Sequence, residues 1–285
     1  VPAVTTVLLN LAILAAAWWG APWLGTQGVP PIYALAGGVM LGGVLQLAVQ
    51  WPALRSIGAL PHVGLSPRAL AAAWRYEGVQ RVLRQMAPAL LGVSVAQLSL
   101  LINTRIATHV GVGAVSWLSF ADRLMEFPTA LLGVALGVVL LPQLSAAQAR
   151  DDGAAYSGML DWGLRLAFLL ALPAAFALWL LAVPLITTLY QYGKFGIHDV
   201  WQTRAALLGY SAGLLALILV KILAPGFYAR QQIKTPVKIA FVTVLVTQTI
   251  AVILMWPLGH AGLTLATSLG ACVNASLLFW FLRRN

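Results

Sequence analysis

Long apolar runs separated by short charged connections constrain this chain more than any other feature. A helix crossing about 30 Å of hydrocarbon needs about 20 residues at about 1.5 Å each. Eight segments meet that length: 3–20, 32–53, 82–108, 114–140, 160–190, 202–229, 236–256 and 261–282. Hydrophobic residues make up 61% of the chain and charged residues 8%. Soluble domains run at about 45–50% and about 25%. So few charges cannot cover a water-soluble body of this size, so the solvent is lipid. The expected fold is an all-α polytopic transmembrane helix bundle, because a helix closes its backbone hydrogen bonds within its own span. Interior prolines (Pro88, Pro128, Pro173, Pro184 and Pro225) are compatible with it, since neighbouring helices satisfy the carbonyls they free.

The same patterning narrows the function. One cysteine, Cys272, excludes a disulfide framework or a multi-cysteine metal site, and the four histidines have no HExxH spacing. No P-loop, GxSxG elbow or dinucleotide fingerprint occurs. No enzyme signature is therefore found, and neither a cofactor nor a metal is expected. The net charge of +10 lies mostly between apolar runs, so it speaks for topology and not for nucleic acid. Alternate connections place Arg55, Arg68, Arg75, Arg81, Arg84, Arg150, Arg230, Lys234, Lys238, Arg283 and Arg284 on one side, against Lys194 and Arg204 on the other. The basic side is expected to be cytoplasmic. Arg105, Arg123, Arg165 and Lys221 fall within or near the ends of spans, and Lys221, near the cytoplasmic end of the sixth, is able to snorkel. An apolar start without methionine, and a first run lacking a charged n-region and a cleavage site, read as an internal fragment rather than a signal peptide.

Residues 54–81 form the longest polar stretch and the expected boundary between two lobes. Ser66-Pro67 reads as an N-cap with proline in the first helical position, opening a short basic helix over 67–78 that lies along the membrane surface or links two bundles. The domain reading is 1–53, the last two helices of an N-terminal lobe; 54–81, a cytoplasmic linker; and 82–285, a six-helix C-terminal lobe. Gly133 with Gly137, and Gly209 with Gly213, have the GxxxG spacing that lets helices approach closely.

The sharpest functional signal lies in the fourth span, Ser116-Trp117-Leu118-Ser119-Phe120-Ala121-Asp122-Arg123-Leu124-Met125-Glu126-Phe127-Pro128. A start near Ala114 puts Asp122 about 12 Å and Glu126 about 18 Å into the span. Asp122 and Glu126 share a face at i,i+4, and Arg123 and Glu126 are an i,i+3 pair. Charges at that depth cost several kcal/mol in hydrocarbon, so the cluster either organises the bundle as a buried ion pair or faces a hydrated cavity. Two acids to one base favour the cavity. An arginine there has the geometry to bind a phosphate in a bidentate manner. Gln97, Asn103 and Arg105 on the third span are further candidates for lining it, as are Asp161 and Arg165, whose i,i+4 spacing is equally explained by snorkelling.

Ser116 to Pro128, Leu131 to Ser145, Asp161 to Pro173, Gln191 to Phe195 and Lys221 to Lys238 closely resemble the MurJ/MviN family of bacterial lipid II flippases, within the multidrug/oligosaccharidyl-lipid/polysaccharide exporter superfamily. The resemblance runs through essentially the whole chain. It implies a MurJ-like exporter fold in which these eight spans are the fifth to twelfth of fourteen. It also implies movement of lipid II (undecaprenyl-pyrophosphate-linked disaccharide-pentapeptide) from the cytoplasmic to the periplasmic leaflet of the bacterial inner membrane by alternating access. By the same resemblance Asp122, Arg123 and Glu126 handle substrate or gate the cavity. Membrane phospholipids and cell-wall synthesis proteins are the implied partners. Some members hold an intramembrane cation on carboxylates; the matching spans here offer Gln97, Asn103, Gln248 and Asn274, none of them a carboxylate. Export of another polyprenyl-linked glycan or a drug, and a non-transporting scaffold, are the alternatives.

Overall fold

A backbone surrounded by hydrocarbon has no water to bond, and the described residues are almost all in helices, most of those from Glu77 on joined by turns of a few residues. The computed structural model describes residues 2–58, 66 and 74–284, and no strand occurs among them. They divide into two compact units, Val1–Tyr76 and Glu77–Asn285.

In the first unit, α1 (Pro2–Ala15) continues through a π-helical turn (Ala16–Gly20) into α2 (Ala21–Thr26). The chain turns at Gly28 (φ 73°) into α3 (Ile32–Ser56). The hairpin closes on small residues: a Cβ added to Gly38 would lie 2.6 Å from the Ala16 Cβ, and one on Gly42 2.6 Å from a Leu9 methyl. Gln46 Nε2 donates to the Thr5 carbonyl at 3.0 Å beside this contact.

The second unit runs α4 (Glu77–Val110), α5 (Ala114–Pro128), a π-helical turn (Thr129–Val134), α6 (Ala135–Ala149), α7 (Gly153–Leu180) and α8 (Ala182–Tyr190). It ends with α9 (Ile197–Ser211), α10 (Leu214–Ala229), α11 (Lys234–Leu258) and α12 (His260–Arg284). Its core surrounds α10, whose Ile218 and Ile222 pack with Leu140, Leu144, Tyr156 and Leu160. Leu223 and Phe227 pack with Ile239 and Leu278. Both glycine pairs are contact points. Gly133 and Gly137 lie against Lys221 of α10, and Gly209 and Gly213 against Thr264 and Ser268 of α12.

Six helices among the described residues are long and apolar enough to cross a membrane, and the pair α9–α10, bent by 45°, makes a seventh. The remaining expected segment, 82–108, lies inside the 34-residue α4, part of whose side chains fall outside the described set.

Several expected boundaries need correction. The first span extends to Thr26, and the fourth continues unbroken in space from Ala114 to Ala149. The expected fifth span, 160–190, begins earlier, at Gly153, and breaks at Leu181. Pro184 explains the break: its ring and missing N–H disrupt the turn that would bond back to Leu180. Pro128 acts similarly, and the helix widens into the π-helical turn directly after it. The expected surface helix at 67–78 lies largely outside the described residues, as do His62 and Arg68.

Candidate functional site

On α5 the side chains of Val115, Leu118, Ser119, Asp122, Met125 and Glu126 recur at steps of one, three and four, so they occupy one face. That face, with Thr129 beyond Pro128, walls a cavity of about 550 Å³. Ser99 and Asn103 of α4, Tyr210 of α9, Leu217 and Lys221 of α10 and Thr267 of α12 complete it. Ala121 faces the other way, in a core with Ile186, Val200 and Leu207, and this anchors the rotation of α5. Gln248 Nε2 donates to Ser99 Oγ at 2.8 Å, tying α11 to the α4 wall. The buried Asn103 Oδ1 has no hydrogen-bond partner.

The candidates named from sequence separate in space. Asp122 and Glu126 line the cavity together, and Asn103 lines it from α4. Arg123 stands one residue, about 100°, further around α5 than Asp122. It pairs with Glu126 at 3.6 Å, with the two side chains 76% and 62% exposed, so this contact is open rather than sealed. Gln97 and Arg105 are exposed and are not among the residues walling the cavity. Asp161 and Arg165 form their i,i+4 pair at 2.8 Å on α7. Asp161 borders a separate pocket of about 400 Å³ with Tyr156, Arg230 and Arg283.

The structure adds a residue that sequence reasoning had assigned to the membrane edge. The stem of Lys221 lies over Gly133, and Lys221 is among the residues lining the cavity with Asp122 and Glu126. A lone lysine deep in the run Leu214 to Ala224 was the available signal. A second missed group ties α5 to the start of α9. Trp117 Nε1 donates to Asp199 Oδ1 at 2.7 Å, while Asp199 Oδ2 accepts from the Gly196 N–H at 2.8 Å. The Trp117 ring also meets those of His198 and His260.

A wall of apolar helices holding two carboxylates, an amide and an ammonium around an open volume has the chemistry of a binding chamber for a charged or polar cargo. Comparison with known proteins agrees. The family model for lipid II flippase MurJ matches residues 1–285. The lipid II flippase MurJ of Burkholderia cenocepacia is 55% identical over 285 residues, covering 100% of this chain and 54% of that protein. The probable lipid II flippase MurJ of Haemophilus influenzae is 40% identical over 279 residues, covering 96% and 52%. The chain thus spans about half the length of the curated relatives it matches. Among solved structures, a lipid II flippase MurJ in an inward closed conformation superposes with a TM-score of 0.79 at 20% identity, over 99% of this chain and 56% of the other. A MATE transporter in a straight conformation gives 0.64 at 14%, over 99% and 61%. Those two likenesses speak for the fold, and the family model with the sequence relatives speaks for the lineage: the chain belongs to the MurJ lipid II flippase family.

Proposed function

We propose that this chain is part of a transporter that moves lipid II from the cytoplasmic to the periplasmic leaflet of the bacterial inner membrane. Residues 1–53 supply the last two helices of a first lobe, 54–81 the cytoplasmic linker between lobes, and 82–285 the second lobe. The observation that carries the reading is the cavity of about 550 Å³ with Asp122, Glu126 and Lys221 on its walls, inside helices otherwise built for lipid.

In this reading a change of conformation opens the cavity to one leaflet and then the other, without breaking a bond in the substrate. Arg123, next to Asp122 on α5, attracts the pyrophosphate through its planar fork of donors. Asp122 and Glu126 pair with cationic groups in one state and release them in the next. Arg230, Lys234 and Lys238 meet anionic head groups on the cytoplasmic face. The cell-wall synthesis proteins that consume the flipped precursor are the expected protein partners.

The test uses the full-length protein carrying Arg123→Ala or Arg123→Lys, with periplasmic exposure of lipid II and protein abundance measured together. Loss of exposure at normal abundance supports the role. Normal exposure at normal abundance removes it, and loss through low abundance alone reduces Arg123 to a structural part. Depletion that raises drug sensitivity without trapping wall precursor would redirect the assignment to drug export.

A further inference from the structure

We propose that the pocket between α7, α10 and α12 is a binding site for one anionic phospholipid of the inner leaflet, with Arg230 and Arg283 holding its phosphodiester. The site sharpens into one defined contact the meeting of Arg230 with head groups read above, on which it rests, and is independent of the cargo. Arg230 closes α10, and Arg283 lies in the last turn of α12. Charge asymmetry along the sequence says only that both belong to the basic side; the fold sets both on the wall of one pocket of about 400 Å³. None of the described residues on that wall lines the central cavity.

The pocket is built rather than incidental. Tyr156, 3% exposed, donates its hydroxyl to the Gly226 carbonyl at 2.8 Å, and its ring lies 4.4 Å from the centre of the half-buried Arg230 guanidinium. A Cβ on Gly226 would lie 3.1 Å from the Tyr156 hydroxyl oxygen and 3.3 Å from a Leu282 methyl, so a bare backbone lets three helices converge here. The ion pairs among the described residues are Arg123 with Glu126 and Arg165 with Asp161, the latter at 2.8 Å. Asp161, the acid on the pocket wall, is therefore engaged by Arg165, and neither Arg230 nor Arg283 has a described carboxylate within 4.0 Å. Asp151 and Asp152 border Arg230 in a neighbouring pocket without reaching that distance.

The chemistry selects a phospholipid. Two guanidiniums free of carboxylates offer planar forks of donors that match phosphate oxygens. Beneath them the wall is apolar, formed by Leu160, Leu164, Leu223, Phe279 and Leu282. Leu160 and Leu164 stand about 10 Å and about 16 Å along α7 from its first residue, Gly153. A free phosphate uses the arginines and leaves that wall bare. A lipid uses both, with its phosphodiester at the charged end and its first acyl carbons on the leucines.

The experiment uses the purified full-length protein in detergent, with phosphatidylglycerol and phosphatidylcholine as probes and native mass spectrometry counting the lipid retained. One tightly held phosphatidylglycerol is expected, and no phosphatidylcholine. Arg230→Gln and Arg283→Gln are each expected to weaken that binding about fivefold, the worth of one basic residue against an anionic lipid. Arg284→Gln removes the same charge one position on, from a guanidinium that lies 5.1 Å from the centre of the Trp280 ring and off the pocket wall, and is expected to change nothing. In the unsubstituted protein, a photoreactive phosphatidylglycerol is expected to cross-link within 156–164 or 279–283, and excess phosphatidylglycerol but not inorganic phosphate is expected to suppress it, a readout that needs no variant to fold. Equal weakening by all three substitutions overturns the site and leaves only the diffuse surface contact. Cross-links confined to other segments, or equal suppression by inorganic phosphate, also overturn it.

Discussion

Replacing Gly213 by alanine tests whether the close approach of α9–α10 to α12 is a built contact. A Cβ at Gly213 would meet the Ser268 Cα at 2.5 Å. Carbon atoms rest at about 3.5–4.0 Å, so the helices must part by at least about 1 Å. A backbone atom cannot rotate out of the way as a side chain can. Overpacking of this kind costs about 1–3 kcal/mol. Parting also stretches the hydrogen bond that Ser268 Oγ donates to the Gly209 carbonyl at 2.6 Å, a further loss of about 1 kcal/mol. Gly213 caps α10 rather than sitting mid-helix, so little helix propensity offsets this. The expected net loss is about 2–4 kcal/mol, or several degrees in the thermal midpoint of the purified full-length protein in detergent. Gly158→Ala is the control: nothing lies within 4 Å of a Cβ there, and the midpoint is expected to hold or rise. A Gly213→Ala protein as stable as its parent, beside a normal Gly158→Ala control, would refute the packing argument.

Asp199→Ala removes both the Trp117 contact and the bond to the Gly196 N–H that starts α9, and is expected to cost about 1–2 kcal/mol with a change in tryptophan emission. Unchanged emission and midpoint would contradict the link. Tyr156→Phe keeps the ring beneath the Arg230 guanidinium, 4.4 Å away, but loses the bond from its hydroxyl to the Gly226 carbonyl. A loss of about 1 kcal/mol is expected in the same thermal assay, and a larger loss from Tyr156→Ala. In a background with Cys272 replaced by serine, Lys194→Cys is expected to react with an impermeant maleimide in intact cells whose outer membrane has been opened. Arg230→Cys is expected to react only after lysis, and the reverse pattern would invert the topology.

The apolar runs determined the helices, because in hydrocarbon no other local structure satisfies the backbone of a single segment. The i,i+4 spacing of Asp122 and Glu126 likewise put both carboxylates on one face before any neighbour was known. Pro128 and Pro184 marked where regular helix would fail, although not that one would yield a π-helical turn and the other a break at Leu181. Which groups meet across helices was decided only by tertiary structure. Lys221 read from its own run is a cation near a membrane edge; the contact with Gly133 and Gly137 makes it a cavity residue. Trp117 and Asp199, 82 positions apart, carry no shared local signal. Helical periodicity relates residues along one element, whereas the rotation and approach of neighbouring elements depend on the shapes packed between them, and those exist only once the chain has folded.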